Sequence, residues 1–516
     1  MKYDVVIVGG GSAGCTLAAR LSEDPNRSVL LLEAGPDYPD FELLPDEIKY
    51  GYNNGASELD SPFNWSYQAT GSARSSRPMD IARGKVIGGS GSVNGQVFLR
   101  GLPEDYDSWA DAGNTEWSYV NVLPFFRKLE TDMDVRDDFH GSDGPIPVRR
   151  VARSDWLPVY EAFHQSTLDA GYPYDPDMNN PETTGTGAVP MNNPNNIRMS
   201  AALSYLNAAR HRLNLTVRGN VAARRVLFEG TKAVGVEVES GGDVFTVEGE
   251  EIVLCAGGLA SPQLLLLSGV GPADHLREMG VPVVLDSPGV GKNLRDHPMA
   301  LVEVEPREGV ALSEDVPRIQ TGLRYTAEGS DLRNDMQITL TSYSGEGGGD
   351  PIAGASRMRN GRTLHFTVIL ELAESAGELT LASTNPADGP RIDYRYLEDE
   401  FDVRRMREGI RLCASLLEHD QFRSLVSGLA FPSDADLESD ESLDTWLHEN
   451  IGTTFHTCGS ARMGPDGDPM AVVDQRCRVR GVQGLRVVDL SVAPNVVRAN
   501  TNATAIMIAE RASVWF

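Results

Sequence analysis

The sequence predicts an α/β fold, and three observations within its first forty residues predict it. A wholly apolar, β-branched run, Val5-Val6-Ile7-Val8, passes directly into the turn Gly9-Gly10-Gly11-Ser12-Ala13-Gly14. A helix-forming stretch with apolar spacing, Ala13 to Leu21, follows. A second apolar run, Ser28 to Leu32, then ends on an acid, Glu33. Strands buried on both faces read as continuous apolar runs, as in a parallel sheet. Strand, glycine turn, helix and strand in that order form a Rossmann-type βαβ unit.

Each part of the unit has a physical task. Gly9 permits the tight turn, Gly11 lets a pyrophosphate approach the backbone, and Gly14 lets the helix pack on the strand. The helix start offers free amides and a partial positive charge to an anion. Glu33 suits two ribose hydroxyls and repels a 2′-phosphate. The motif alone does not separate FAD from NAD; its place at the chain start favours FAD.

The 516 residues suggest two interleaved domains. A net charge of −28 argues against nucleic-acid binding and against docking on anionic membranes. Cys15, Cys255, Cys413, Cys458 and Cys477 are odd in number and form no CxxC pair, so neither a disulfide framework nor a metal site is expected. The start Met1-Lys2-Tyr3 leaves no room for a signal peptide, and apolar runs such as Leu264 to Leu267 are too short to span a bilayer. A cytoplasmic enzyme without a membrane span is expected.

A second small-residue loop runs from Arg83 to Gly95, through Val86, Gly88, Gly89, Ser90 and Asn94. Ile87, Val93 and Val97 among the glycines suggest that it is packed, its backbone lying against a flat ring or a phosphate. With Gly84 to Asp107, Gly257 to Gly271, Phe125 to Glu130, His140 to Gly144, Gly289 to His297 and Gly484 to Asp489, the chain resembles the glucose–methanol–choline (GMC) family of FAD-dependent oxidoreductases. Gly258 departs from the family pattern, which has Ala, Ser, Thr or Pro there.

The resemblance implies a set of FAD contacts. Gly9, Gly11, Gly14 and Glu33 would hold the ADP half. Gly89, Ser90 and Asn94 would lie beside the pyrophosphate and flavin. Val221 would present its backbone to the adenine, and Asp489 would sit near the pyrophosphate end of the ribityl chain. Asn502 and Thr504 would touch the flavin ring. Ser12, Ala13, Ala34, Arg83, Val86, Gly88, Gly95, Val97, Ala256, Gly257, Asn500 and Thr501 complete the set. Some relatives link FAD to a His just before the loop Asn; Val93 stands there, so the FAD is expected to be non-covalent.

The resemblance also puts His456 at the family's catalytic histidine and Asn500 at its second catalytic position. A neutral imidazole suits removal of a hydroxyl proton. An amide donates to the developing alkoxide but takes no proton at neutral pH. The helix from Ala505 to Arg511 would aim its positive end at the flavin. Asp296 and His297, as strand neighbours, are expected to point to opposite faces and to be structural. Cys458 reads as a packing residue.

Oxidation of a primary or secondary alcohol is therefore expected, with electrons passing to oxygen or another acceptor. A non-redox hydroxynitrile lyase or a fatty-acid photodecarboxylase is the alternative. The alcohol stays open, and no cage for choline falls on particular residues. The FAD domain is expected at 1–40, 80–150, 205–300 and 450–516. Residues 41–79, 151–204 and 301–449 would form an α+β substrate domain on an antiparallel sheet, with cofactor-covering segments. Arg362 to Leu372 and Glu378 to Ala382 read as strands of that sheet. Phe401 to Leu417 reads as an amphipathic helix. Phe63 to Tyr67 reads as aromatic packing beside the cofactor, and Asn192 to Met199 as a loop.

Overall fold

A computed structural model describes residues 2–345 and 362–516. Residues 346–361 of the expected substrate segments lie outside that description.

The opening unit forms as the sequence implies. Strand Lys2–Val8 and strand Val29–Leu32 pair in parallel, Val5 opposite Val29 and Val8 opposite Leu32. Helix Ser12–Leu21 lies between them in the chain and buries Cys15, Leu17, Ala18 and Leu21. The sheet runs Leu215–Arg218, Val29–Leu32, Lys2–Val8, Asp243–Leu254, Lys232–Ser240, Ala222–Glu229. Leu485–Val487 is added in parallel to Asp243–Leu254.

Strand Asp243–Leu254 belongs to two environments. Its last three residues, Ile252, Val253 and Leu254, are buried and run parallel to the opening strand. Its outer half, mostly exposed, forms an antiparallel meander with Lys232–Ser240. Alternating burial in the meander against continuous burial in the centre is what one- and two-sided packing requires.

The C-terminal helix Asn502–Ala512 packs beside helix Ser12–Leu21. Ser12 Oγ donates to Asn502 Oδ1 at 2.7 Å, and Arg20 pairs with the buried Glu510 at 2.7 Å. The two helix N-termini are thus tied to one another, although they lie at opposite ends of the chain.

The second large sheet is antiparallel in its body: Val426–Phe431, Pro298–Pro306, Arg362–Leu370, Met336–Ser344, Thr321–Tyr325, Gly185–Ala188. Helix Glu400–Leu416 crosses one face, burying Val403, Met406, Ile410 and Cys413. Its N-cap Asp399 accepts from Phe401 N, as a helix start of this kind requires. The opposite face is turned toward the first sheet's cofactor segments.

One expected strand belongs elsewhere. Glu378–Thr380 pairs only with Arg391–Asp393, outside the large sheet. Its backbone is already engaged: Leu379 N donates to Gly291 O at 2.7 Å, and Gly377 and Leu294 exchange two bonds. Conversely, Met336–Ser344 is a central strand of the large sheet, entered from a turn at Asn334 and Asp335.

Among the described residues, no helix is long and apolar enough to cross a membrane. All five cysteines are buried and unpaired. His140 lies within a buried ionic cluster, 3.1 Å from Glu130, 3.1 Å from Asp132 and 2.9 Å from Asp177. Arg100 and Arg150 interleave the same carboxylates. Burial opposes its charge, but bonds to Asp132, Asp177 and Glu130 outweigh this and push its pKa up to about 11.

Candidate active site

A single long cavity starts at the glycine turn of the first sheet, passes the second glycine loop and ends on the antiparallel sheet. At its start Gly9 has φ +102°, and a Cβ there would meet Cys255 O at 2.5 Å. Only glycine adopts that conformation readily, so the turn stays tight. Helix Ser12–Leu21 begins at Gly11 without a side-chain cap, leaving its first amides for a ligand.

The two glycine loops touch. Gly89 has φ +55°, and a Cβ there would lie 2.6 Å from Gly11 Cα. Gly88 N donates to Gly10 O at 2.7 Å, and Ile87 N to Pro36 O at 3.0 Å. Glu33 ends its strand beside them; Oε2 accepts from Gly10 N at 2.8 Å and Oε1 from Gly35 N at 2.9 Å. Burial pushes its carboxyl up to about 7 against those bonds.

Most of the expected contacts meet in this cavity. Gly9, Gly11, Ser12, Ala13, Glu33, Ala34, Arg83, Gly89, Ser90, Asn94, Gly95 and Val97 line it. So do Val221, Ala256, Gly257, His456, Asp489, Asn500, Thr501 and Asn502. Val93 lines it too, and offers no nitrogen for a covalent link. Asp489 is saturated by Gly257 N, Ser261 Oγ, Ser491 N and Ser491 Oγ, so it holds the start of helix Gly257–Leu267 in place.

Four expected contacts stand behind the wall instead. Gly14 is a packing position, where a Cβ would meet Gly9 O at 1.9 Å. Val86 packs in a small apolar cluster with Ile48, Ala56, Phe63 and Val93. Gly88 supplies a turn at φ +100°. Thr504 is fully buried one turn into its helix and shares a 3.0 Å bond with Tyr106 OH, so it is not placed to touch a ring in the cavity.

At the far end stand the two expected catalytic residues. Asn500 Nδ2 lies 3.3 Å from His456 Nε2. Thr454 Oγ1 donates to His297 O at 3.0 Å, because a carbonyl only accepts. Its oxygen also lies 2.9 Å from His456 Nδ1. The Asn500 amide nitrogen only donates, so His456 Nε2 accepts from it and the neutral ring carries its proton on Nδ1. Burial, then the charges of His297 and Arg83, hold its pKa well below 6.5.

Asp296 and His297 correct an expectation. Both touch His456: Asp296 Oδ1 accepts from His456 N at 2.7 Å, and His297 Nδ1 lies 2.8 Å from His456 Nδ1. They precede strand Pro298–Pro306, so strand alternation does not separate them. Asp296 also accepts from Tyr396 OH at 2.7 Å and from the Thr453 hydroxyl. Behind His297, its Nε2 faces Glu371 Oε2 at 3.3 Å. Burial takes the Glu371 carboxyl up to about 8 and the His297 imidazole down to about 3.

Sequence reasoning missed Thr454, Glu371 and the part played by His297. The adjacent Asp-His pair was the available signal. The loop that carries His456 is strained: Phe455 has φ +64°. Arg83 clamps it, donating to Phe455 O at 2.7 Å and to the Thr457 hydroxyl. A non-glycine residue in that region persists where its surroundings over-determine it, commonly at functional sites.

A dinucleotide-shaped cavity between a parallel and an antiparallel sheet, closed by an imidazole–amide pair, defines an α/β cofactor-binding protein. Comparison with known families makes this specific: the chain belongs to the GMC oxidoreductase family, its N-terminal part matching over residues 3–299 and its C-terminal part over 373–509. It is 40% identical over 510 residues to an uncharacterized GMC-type oxidoreductase of Rhodococcus erythropolis, covering 99% of this chain and 97% of that one. It is 36% identical over 533 residues to an oxygen-dependent choline dehydrogenase of Photobacterium profundum, covering 99% and 92%. Among solved structures it is similar to pyridoxine 4-oxidase from Mesorbium loti, with a TM-score of 0.90 and 29% identity over 100% of this chain and 99% of that one. A formate oxidase of Aspergillus oryzae studied for FAD modification aligns with a TM-score of 0.90 and 25% identity over 99% and 97%.

Proposed function

We propose that the protein is an FAD-dependent oxidoreductase that converts a CH–OH group to a carbonyl. The cavity suits FAD: an uncapped helix start for the pyrophosphate, a buried carboxylate for ribose hydroxyls, and glycine surfaces where any Cβ would intrude. Bound FAD supplies the hydride acceptor. Val93 supports a dissociable cofactor.

The observation that carries the reading is the contact of His456 Nε2 with the amide nitrogen of Asn500. His456 Nε2 is free of its own proton and takes the substrate hydroxyl proton. Asn500 Nδ2, 3.3 Å from that nitrogen, donates to the oxygen as negative charge builds on it. Proton removal of this kind contributes on the order of 10²- to 10⁴-fold in rate. Asp296 and Thr454 orient the imidazole from its backbone and from Nδ1. The electrons leave to oxygen or another acceptor.

The test is anaerobic mixing of the yellow protein with a panel of alcohols. Bleaching near 450 nm by at least one alcohol is the expected outcome for a flavin that accepts hydride. A flavin that stays oxidised with every alcohol class, while the protein turns over a cyanohydrin or decarboxylates a fatty acid in light, would replace this reading with a non-redox one.

A further inference from the structure

We propose that the alcohol is a neutral molecule bearing several hydrogen-bonding groups, a polyol or hydroxylated ring, read by Gln337, Thr339, Thr341 and Thr367. The proposal deepens the oxidation reading and rests on it.

The argument begins with strand alternation. In Met336–Ser344 the residues Ile338 and Leu340 face the core under helix Glu400–Leu416, so Gln337, Thr339 and Thr341 share the other face. That face lines the cavity. Register places Thr367 opposite Thr339 and Ile369 opposite Gln337. Residues two apart on a strand sit about 7 Å apart, and cross-strand neighbours about 5 Å apart. A single hydroxyl cannot reach such a spread, whereas a molecule with several can.

These side chains are expensive unless something uses them. Gln337, Thr341 and Thr367 are 2%, 4% and 3% exposed. Gln337 Oε1, Thr341 Oγ1 and Thr367 Oγ1 have no partner within the protein. Valine would pack in a strand as well as threonine and would leave no buried oxygen unsatisfied. Three such oxygens on one cavity wall indicate partners supplied by a ligand.

The electrostatics disfavour a quaternary ammonium. Among the described residues the carboxylates that line the cavity are Glu33 and Asp489, at the nucleotide end, and both already hold backbone amides. Arg83 and Arg318 are the charged residues toward the sheet. Trp65 lines the cavity, but Lys85 Nζ already lies 4.7 Å over its ring. A cation would meet positive charge with no carboxylate beside it, and at Trp65 a ring that already carries a lysine.

The wall also has a direction. Ile369 lies between Gln337 and Met299 across three strands, in an apolar cluster with Met299 and Leu301. Met299 is two residues beyond His297, which touches His456. The reacting carbon therefore sits at the apolar flank, with the hydroxyls further along the strand.

The experiment compares sorbitol, glycerol, matched mono-alcohols and choline against the wild type, Thr341→Val, Thr367→Val and Gln337→Met. Two readouts are taken: anaerobic flavin reduction, and the shift of the oxidised flavin spectrum on binding, which needs no turnover. The polyols should bind and reduce better than choline. Each variant should lower polyol kcat/KM about 3- to 10-fold, one neutral hydrogen bond, and lower that of a mono-alcohol less. Choline outperforming the polyols, or variants that leave polyol binding intact, would overturn the assignment. Polyol binding that is lost in Thr367→Val, but with no flavin reduction by any alcohol, would keep the assignment and sink the oxidation reading instead. Absence of both signals for every polyol would overturn the assignment outright.

Discussion

His297 Nδ1 lies 2.8 Å from His456 Nδ1, and the two rings meet edge to face at 82°. The single Nδ1–H of His456 faces two acceptors, His297 Nδ1 and Thr454 Oγ1. Both imidazoles are buried, and each positive charge disfavours the other.

The pH dependence follows from that pair. His456 takes a proton only while neutral, so flavin reduction is lost as pH falls through its pKa, which burial and then His297 and Arg83 hold well below 6.5. The wild type should keep its rate at pH values well under 6.5. In His297→Gln the acid limb should move up toward the ordinary imidazole value. A limb that does not move would show that His297 leaves the base untouched.

Asn500→Ala should slow flavin reduction by about 100-fold, the effect of losing one donor to a developing oxyanion. Stopped-flow traces at saturating alcohol would show it, with the bound-flavin spectrum unchanged. Asn500→Asp places a carboxylate against His456 Nε2 and should raise the acid limb as well.

His456→Ala should retain the yellow cofactor, since its partners are Thr454, His297, Asp296 and Asn500 rather than the glycine loops. Single-turnover reduction should fall by on the order of 10²- to 10⁴-fold. Reduction near the parent rate would remove His456 from the role of base.

Gly89→Ala should abolish FAD retention. Its Cβ would press within 2.6 Å of Gly11 Cα at φ +55°. The absorbance ratio at about 450 and 280 nm after desalting measures the loss, because the polypeptide itself does not absorb in the flavin band. A fully yellow variant would mean that the two loops separate freely.

His140→Phe should destabilise the protein by about 3–5 kcal/mol near neutral pH, the effect of removing one partner from a buried ionic cluster. Its pKa is raised from 6.5 to about 11, so its stabilisation is complete below 6.5 and fades as pH rises toward 11. Urea midpoints across that window should fall for the wild type and fall less for the variant.

Much of this architecture was legible because it depends on neighbours in the chain. The strand–glycine–helix–strand unit and its terminal Glu33 need only local spacing, and Gly14 answers a local clash with Gly9 O. Helix Glu400–Leu416 announced itself by its period. Val86, Gly88 and Thr504 were placed one layer too close to the cavity, because motif membership does not say which side of a turn faces inward. Strand Met336–Ser344 passed unnoticed because its polar face is buried, the reverse of the usual pattern.

Composition, motif order and period were enough to reveal a dinucleotide cradle, a second glycine loop and a histidine paired with an amide 44 residues away. Folding alone brought Asp296 and His297 onto His456, from 160 and 159 residues away, and laid the unpartnered oxygens of Gln337, Thr341 and Thr367 along the cavity. The reason is physical: a hydrogen-bond partner or a buried face is a relation between distant segments, and only packing of the two sheets against each other creates it.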